Sequence, residues 1–253
     1  ANRPEHNRLK LGVWLNGRLG RNTIMTRESF ARELKILDTK ILRLGSAVEE
    51  GILKSAVALK TRDLRTSREM IDLDEWVNQQ RIEIMMGCFT LIATQQPTGP
   101  DMRSLAATLE IAGELERIHD YVKGIGKISL QLDTAVLPTA IVSLIPEMAG
   151  IAADMLRQAV EAFTINDATA ARRIPLQDDA VDGLYSQISY DLALIVTAGQ
   201  ATYEQANLIQ WAVHNLERAA DRVINICEWV VYKAAGKYVE MDSGYEAETA
   251  VIP

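Results

Sequence analysis

Apolar residues in this chain return every three to four positions from Thr26 onward. Phe30, Leu34, Leu37, Ile41, Leu44, Val48, Ile52 and Ala56 form one stripe, which predicts a first helix ending near Lys60. Thr66-Ser67-Arg68-Glu69 has the spacing of a capping box and predicts a second helix, starting there or a few residues earlier and reaching about Ala93. Gln95-Gln96-Pro97-Thr98-Gly99-Pro100 interrupts the pattern, because proline has no amide donor and glycine loosens the backbone. A third helix is expected from Asp101 to about Leu130.

The cycle then repeats. Pro138 and Pro146 punctuate the start of a fourth helix that runs to about Phe163. The Asn166-Asp167 turn introduces a fifth, kinked at Pro175 and ending near Thr197. Thr202-Tyr203-Glu204-Gln205 is a second capping box, opening a sixth helix to about Ala235, with Gly236 as its stop. No stretch alternates with the two-residue period of a strand. The expected fold is all-α: two pseudo-symmetric three-helix bundles side by side, six long helices in all. The expected division is a leader over 1–25, bundles over 26–131 and 132–239, and a loose acidic tail over 240–253. The leader is expected to be non-native or disordered.

The repeat carries an acidic motif. Leu115-Glu116-Arg117-Ile118-His119-Asp120-Tyr121-Val122 returns as Leu216-Glu217-Arg218-Ala219-Ala220-Asp221-Arg222-Val223. Residues four apart on a helix share a face, so Glu116 neighbours Asp120 and Glu217 neighbours Asp221. Both pairs sit one residue past the core stripe, on a face that also carries Ala112, Gly113 and Gly124 and predicts a shallow groove. A second acidic set lies on the preceding helices, where Asp74-Glu75-Trp76-Val77-Asn78 corresponds to Asp178-Asp179-Ala180-Val181-Asp182. Oxygen donors from facing antiparallel helices can enclose a cation, with iron, manganese, zinc and magnesium all chemically suited. The competing reading is a solvated face whose repetition records duplication alone.

Charge and cysteine content narrow the partners. The net charge is −7, and residues 1–25 hold five basic residues and one acidic, leaving 22 basic against 33 acidic in the remainder. An acidic body disfavours nucleic acid and anionic membrane and favours cations or basic protein surfaces. Cys88 and Cys227 fall inside apolar patterns and are expected as buried thiols of a reducing compartment. No unbroken apolar run of the roughly 20 residues needed to span a bilayer is present, and a cytoplasmic address is expected. The tryptophans are expected mostly at core positions, with Trp14 in the leader.

Catalytic signatures are few. Glu116-x-x-His119 is the helical motif of ferritin-like carboxylate proteins, but the second half has Ala220 where a histidine is required. His119 is then expected as a surface residue or an accessory ligand. There is no phosphate-cradling Gly-x-x-x-x-Gly-Lys-Ser/Thr loop, and no strand on which to build a nucleophile elbow.

Thr26-Arg27-Glu28-Ser29-Phe30, Gln95-Gln96-Pro97 followed by Asp101-Met102-Arg103, the two Leu-Glu-Arg motifs with Asp120 and Asp221, and Val231-Tyr232 followed by Gly236 occur in the order found in one family. The chain after Met25 resembles the PhoU phosphate-signalling regulators. That resemblance implies two pseudo-symmetric three-helix bundles and multinuclear metal sites on Glu/Asp-x-x-x-Asp motifs. By position these are Glu116/Asp120 and Glu217/Asp221, with Asp74 and Asp178/Asp182 opposite. The chain departs from the pattern at Asn78, a neutral and weaker donor than Asp182, and at His119 and Ala220, where the family usually has glycine. The resemblance further implies a non-enzymatic negative regulator of phosphate uptake and starvation signalling. Its partners would be the ATPase subunit of the phosphate ABC transporter and a sensor histidine kinase, reached peripherally at the cytoplasmic side of the membrane. A homodimer, a metal-free scaffold of the same fold, and a ferritin-like carboxylate enzyme stay open at this point.

Overall fold

A computed structural model of the chain describes residues 27–132 and 139–241. The expectations for the 1–25 leader, for Pro138, for Trp14 and for residues 242–253 of the tail lie outside these residues. Among these residues seven α-helices follow in order: α1 Arg27–Thr61, α2 Leu64–Gln95, α3 Gly99–Gln131, α4 Thr139–Ile165, α5 Ala168–Arg173, α6 Asp178–Thr197 and α7 Tyr203–Ala235. A 3-10 turn, Ile174–Gln177, joins α5 to α6, and no strand occurs among the described residues. The predicted fifth helix is therefore a bent unit of α5, the 3-10 turn containing Pro175, and α6.

Local chemistry sets the helix ends. The stripe predicted for α1 is buried from Phe30 to Ala56, except that Leu34 is only partly covered. α2 starts earlier than its predicted capping box. Asp63 is the cap and accepts from the amides of Arg65 and Thr66, each at 3.1 Å, while the Thr66 hydroxyl donates to Asp63 at 2.7 Å. A carboxylate placed there already satisfies the free amides, so Thr66 serves inside the first turn. Gly99 and Pro100, expected as breakers, open α3, where a missing amide donor costs nothing. Pro146 likewise does not mark a boundary, since α4 begins at Thr139 and carries Pro146 within it. Buried Val142, Ile145, Met148 and Ala149 hold that turn through packing. At α7 the capping box forms as predicted between Thr202 and Gln205, and Gly236 ends the helix at φ 73°.

Each half packs as a three-helix set, with α1, α2 and α3 in mutual contact and α4, the bent α5–α6 unit and α7 in another. The halves meet through α1 against α4 and α3 against α7, the latter the most extensive helix pairing in the molecule. Their apolar residues merge into one continuous core. α4 has the length and composition of a membrane span, contrary to the sequence expectation that no segment does, and half of its most apolar window is buried inside the protein. It lies between α1, α6 and α7, which makes it the central helix of this core. Lys233 ties the same region together. Its ammonium lies 3.7 Å from the centroid of the Phe163 ring, donates to the Phe163 carbonyl at 3.0 Å in the last turn of α4, and stands 3.9 Å from Asp38 of α1.

Two further expectations change. The chain beyond Gly236 does not come loose at Glu240: Tyr238 donates to Glu228 Oε2 and the Met241 amide to Glu228 Oε1, both at 2.7 Å, and Met241 is buried. The buried Glu228 carboxylate supplies the acceptors that fold this segment back along α7. Trp211 is 55% exposed and Trp76 and Trp229 are only partly buried, so the three tryptophans among the described residues are not core residues. Their size favours the margin of a core otherwise filled by Leu, Ile, Val and Ala. Cys88 and Cys227 are free buried thiols, as expected. Burial pushes Cys88 up to about 12, so it is an inert thiol near neutral pH.

Two glycines of α3 give opposite tests of the packing. A Cβ on buried Gly126 would stand 2.8 Å from the Ser67 carbonyl oxygen, a backbone atom of α2, beside the 2.9 Å Ser67–Ser129 hydroxyl bond. Gly126→Ala is expected to destabilise the fold by about 1–3 kcal/mol, because two helices must separate. Gly113→Ala meets nothing within 4 Å and is expected to stabilise by up to about 1 kcal/mol through helix propensity. Urea midpoints of the two variants, read by circular dichroism, check both signs.

Candidate metal site

The antiparallel pairing of α3 with α7 positions the repeated acids. Glu114 of α3 faces Arg222 and Asn225 of α7, Tyr121 faces Arg218, and Gly124 faces Asn215. A Cβ on Gly124 would lie 2.7 Å from the Asn215 amide nitrogen, so this glycine serves helix approach rather than a groove. Ala112 is buried as well, and only Gly113 borders free space, so the small residues do not line a common groove. Each Glu-x-x-x-Asp pair then faces outward from this seam toward the outer helix of its own half.

In the second half, α6 brings Asp178 and Asp182 to Glu217 and Asp221 of α7, and each carboxylate lies within the field of the others. Asp178 is the innermost, 3% exposed, and its Oδ1 is buried without a hydrogen-bond partner. Burial first, then the charges of Asp182, Asp221 and Glu217, push its pKa up to about 7. Burial also raises Glu217, with Asp221 adding to it. Asp221 is raised by burial against the opposing pull of Arg218, 3.8 Å away. His214 Nδ1 stands 3.3 Å from Glu217 Oε2, with the rings of Trp211 and Tyr185 at 5.9 and 6.3 Å.

The first half repeats this geometry with different chemistry. Asp74 of α2 faces Glu116 and Asp120 of α3, and Glu116 is raised by burial and by Asp120, with Arg81 opposing. Here, however, Lys123 places its ammonium 2.6 Å from Asp74 Oδ2 and 3.6 Å from Asp120 Oδ1. Asn78 donates its side-chain amide nitrogen to the Asp74 backbone carbonyl at 3.0 Å. His119 is not a surface residue. It is fully buried beside the Met70 backbone, and its Nδ1 faces Gly51 of α1, whose missing side chain leaves it room. Burial lowers its pKa against the attraction of Asp74, so it is the neutral imidazole that the core holds.

All seven acids singled out in the sequence thus fall into two clusters, Asp74/Glu116/Asp120 and Asp178/Asp182/Glu217/Asp221. Among the described residues, no three His, Cys, Asp or Glu side chains are drawn together tightly enough to form a finished metal cage. The donor set of the second cluster nevertheless fits a hard cation, since it offers four carboxylates and a buried oxygen that nothing else satisfies. Sequence reasoning missed Lys123, Arg81, Glu114 and Arg222. A position-by-position comparison of the repeats carries the signal for the first two, because Lys123 stands where the second half has Ile224 and Arg81 where it has Tyr185.

With that geometry in place, comparisons with known proteins are informative. The family model described as PhoU domain matches residues 41–129 and 145–230, one match in each half. A phosphate-specific transport system accessory protein PhoU homolog of Streptococcus pneumoniae is 30% identical over 217 residues, 85% of this chain and 100% of that protein. A counterpart in Synechocystis is 31% identical over 211 residues, 83% of this chain and 93% of its own. The crystal structure of the phosphate transport system regulatory protein PhoU from Streptococcus pneumoniae superposes with a TM-score of 0.77 at 28% identity, covering 84% of this chain and 100% of that one. Its helix order, its duplicated acidic motif and these matches all agree: the chain belongs to the PhoU family.

Proposed function

We propose that this chain is a regulatory accessory protein of a phosphate-specific transport system, and that it carries metal on acidic residues gathered between the seam helices α3 and α7 and their outer neighbours α2 and α6. The transport role is supported by the family and by relatives named as accessory proteins of that system. The metal reading is carried by one observation, the buried Asp178 carboxylate facing three further acids with an oxygen that no protein donor reaches. Iron, zinc, manganese or magnesium each suit such ligands. When bound, the ion would neutralise charge that the fold otherwise leaves uncompensated. The protein works as an adaptor in the cytoplasm between the transporter's ATPase subunit and a sensor histidine kinase, restraining phosphate uptake and starvation signalling without catalysis of its own. Its acidic body suits docking on a basic partner surface.

A metal-free scaffold is the second reading, and the Lys123 ammonium between Asp74 and Asp120 favours it for the first half. Elemental analysis separates the two. Protein purified without chelators or metal-affinity resin is expected to hold bound metal, and a variant with Glu116, Asp120, Glu217 and Asp221 all changed to Ala none, with helicity retained. Two metal-free proteins, even after incubation with iron, manganese and zinc, would remove the metal reading. In a host lacking its own PhoU-family protein, wild type is expected to restore repression of a phosphate-starvation reporter in rich phosphate and to co-purify with the transporter ATPase. A fully folded chain that does neither would sink the adaptor role.

Proton linkage gives an independent test. Asp178 titrates near 7 in the folded chain and near the ordinary value of about 4 when unfolded. Between those values the folded state holds a proton that the unfolded state has lost. The associated stability is therefore complete at low pH and gone once pH rises past 7. Asp178→Asn keeps the shape and removes the charge, so without metal its melting midpoint is expected above wild type at pH 8, with the gap clearly narrowed at pH 5. Saturating metal is expected to raise the wild-type midpoint more at pH 8 than at pH 5, because metal must displace that proton.

A further inference from the structure

We propose that the two acidic clusters are not equivalent: Lys123 is a built-in cation that closes the first, so that a divalent metal loads the second alone. This rests on the metal reading above and assigns it to one half. Aligning the repeats by sequence, three exchanges around the acids make the first cluster less negative, while Arg222 in place of Tyr121 works the other way on Asp221 of the second. Asn78 stands where the second half has Asp182, Lys123 where it has Ile224, and Arg81 where it has Tyr185.

The geometry turns those differences into occupancy. Lys123 lies three residues after Asp120 and seven after Glu116, which puts it on their face of α3. Its ammonium reaches Asp74 across the α2–α3 contact at 2.6 Å and Asp120 at 3.6 Å, and only about a quarter of the side chain is exposed. A metal bridging Asp74 and Asp120 would have to expel it, at the cost of a partly buried ion pair. Ile224 can offer nothing of the kind in the second half. There Asp178, 3% exposed, keeps an unpartnered Oδ1 turned among Asp182, Glu217 and Asp221; Asp74 Oδ1 is likewise unpartnered, but its Oδ2 holds the Lys123 ammonium, whereas the charged contact of the second cluster is Arg218 at 3.8 Å from Asp221. One of the two repeated clusters carries a covalently tethered counter-ion, and the other does not.

Titration of the metal-free full chain with manganese(II), followed by dialysis and elemental analysis, tests this directly. Glu116→Gln/Asp120→Asn is expected to take up as much metal as wild type. Glu217→Gln/Asp221→Asn is expected to lose uptake or weaken it by about tenfold or more. Lys123→Ile/Asn78→Asp, which gives the first half the second half's residues, is expected to bind metal beyond the wild-type amount. Melting midpoints by circular dichroism establish that each variant is folded. Equal losses from the two acid pairs, or no gain in Lys123→Ile/Asn78→Asp, would overturn the inequivalence while leaving metal binding intact. A wild-type chain that binds no manganese would overturn the metal reading and this inference with it.

Discussion

The antiparallel contact between α3 and α7 is the constraint on which the rest of the structure depends. It requires two backbones to approach closely, and Gly124 against Asn215 permits that. It also buries a carboxylate, Glu114, at the seam of two repeats. Arg117 on its own helix, Arg222 at 3.6 Å and Asn225 at 3.4 Å answer that charge. A buried acid with one partner removed is costly, so this group specifies the register in which the halves meet. Once that register is set, the neighbouring Glu-x-x-x-Asp pairs must face outward, each toward the outer helix of its own half.

The interior of the molecule is then divided by chemistry. Apolar residues of all the helices merge into one core, and several of the polar groups in or beside it are each handled differently. Glu228 is satisfied by the chain that folds back after Gly236. Lys233 is satisfied by a helix-end carbonyl and an aromatic face, with Asp38 near it. His119 stays neutral beside Gly51. Asp178 has none of these solutions, and it lies where three other acids converge. An unsatisfied carboxylate among carboxylates raises the proton affinity of the group and, by the same electrostatics, its affinity for a cation.

The two halves show how a duplicated site can diverge without losing its frame. The positions of the acids are preserved by the shared helix geometry. Their electrostatic surroundings are not, because single exchanges on the same faces replace an acid by an amide or an isoleucine by a lysine. A side chain that carries its own positive charge can do for the fold what a bound ion would do, and does it at all times.

Much of this was legible in the sequence. The 3.6-residue period gave the helices, because burial of one face is a local, repeating demand. Thr202 with Gln205, and Gly236, marked both ends of α7, because capping involves residues only a few positions apart. The i,i+4 spacing placed Glu116 with Asp120 and Glu217 with Asp221 on common faces for the same reason. Competing local options hid other boundaries, as when Asp63 took the cap expected of Thr66 and Pro146 was held inside α4 by its buried neighbours. Only the tertiary structure decided that Lys123 would sit on Asp74, that His119 would be buried, that Asp178 would be left without a partner and that Met241 would return to Glu228. Those outcomes depend on which helix faces meet across tens of residues of sequence, and packing between helices, not periodicity along one of them, determines that.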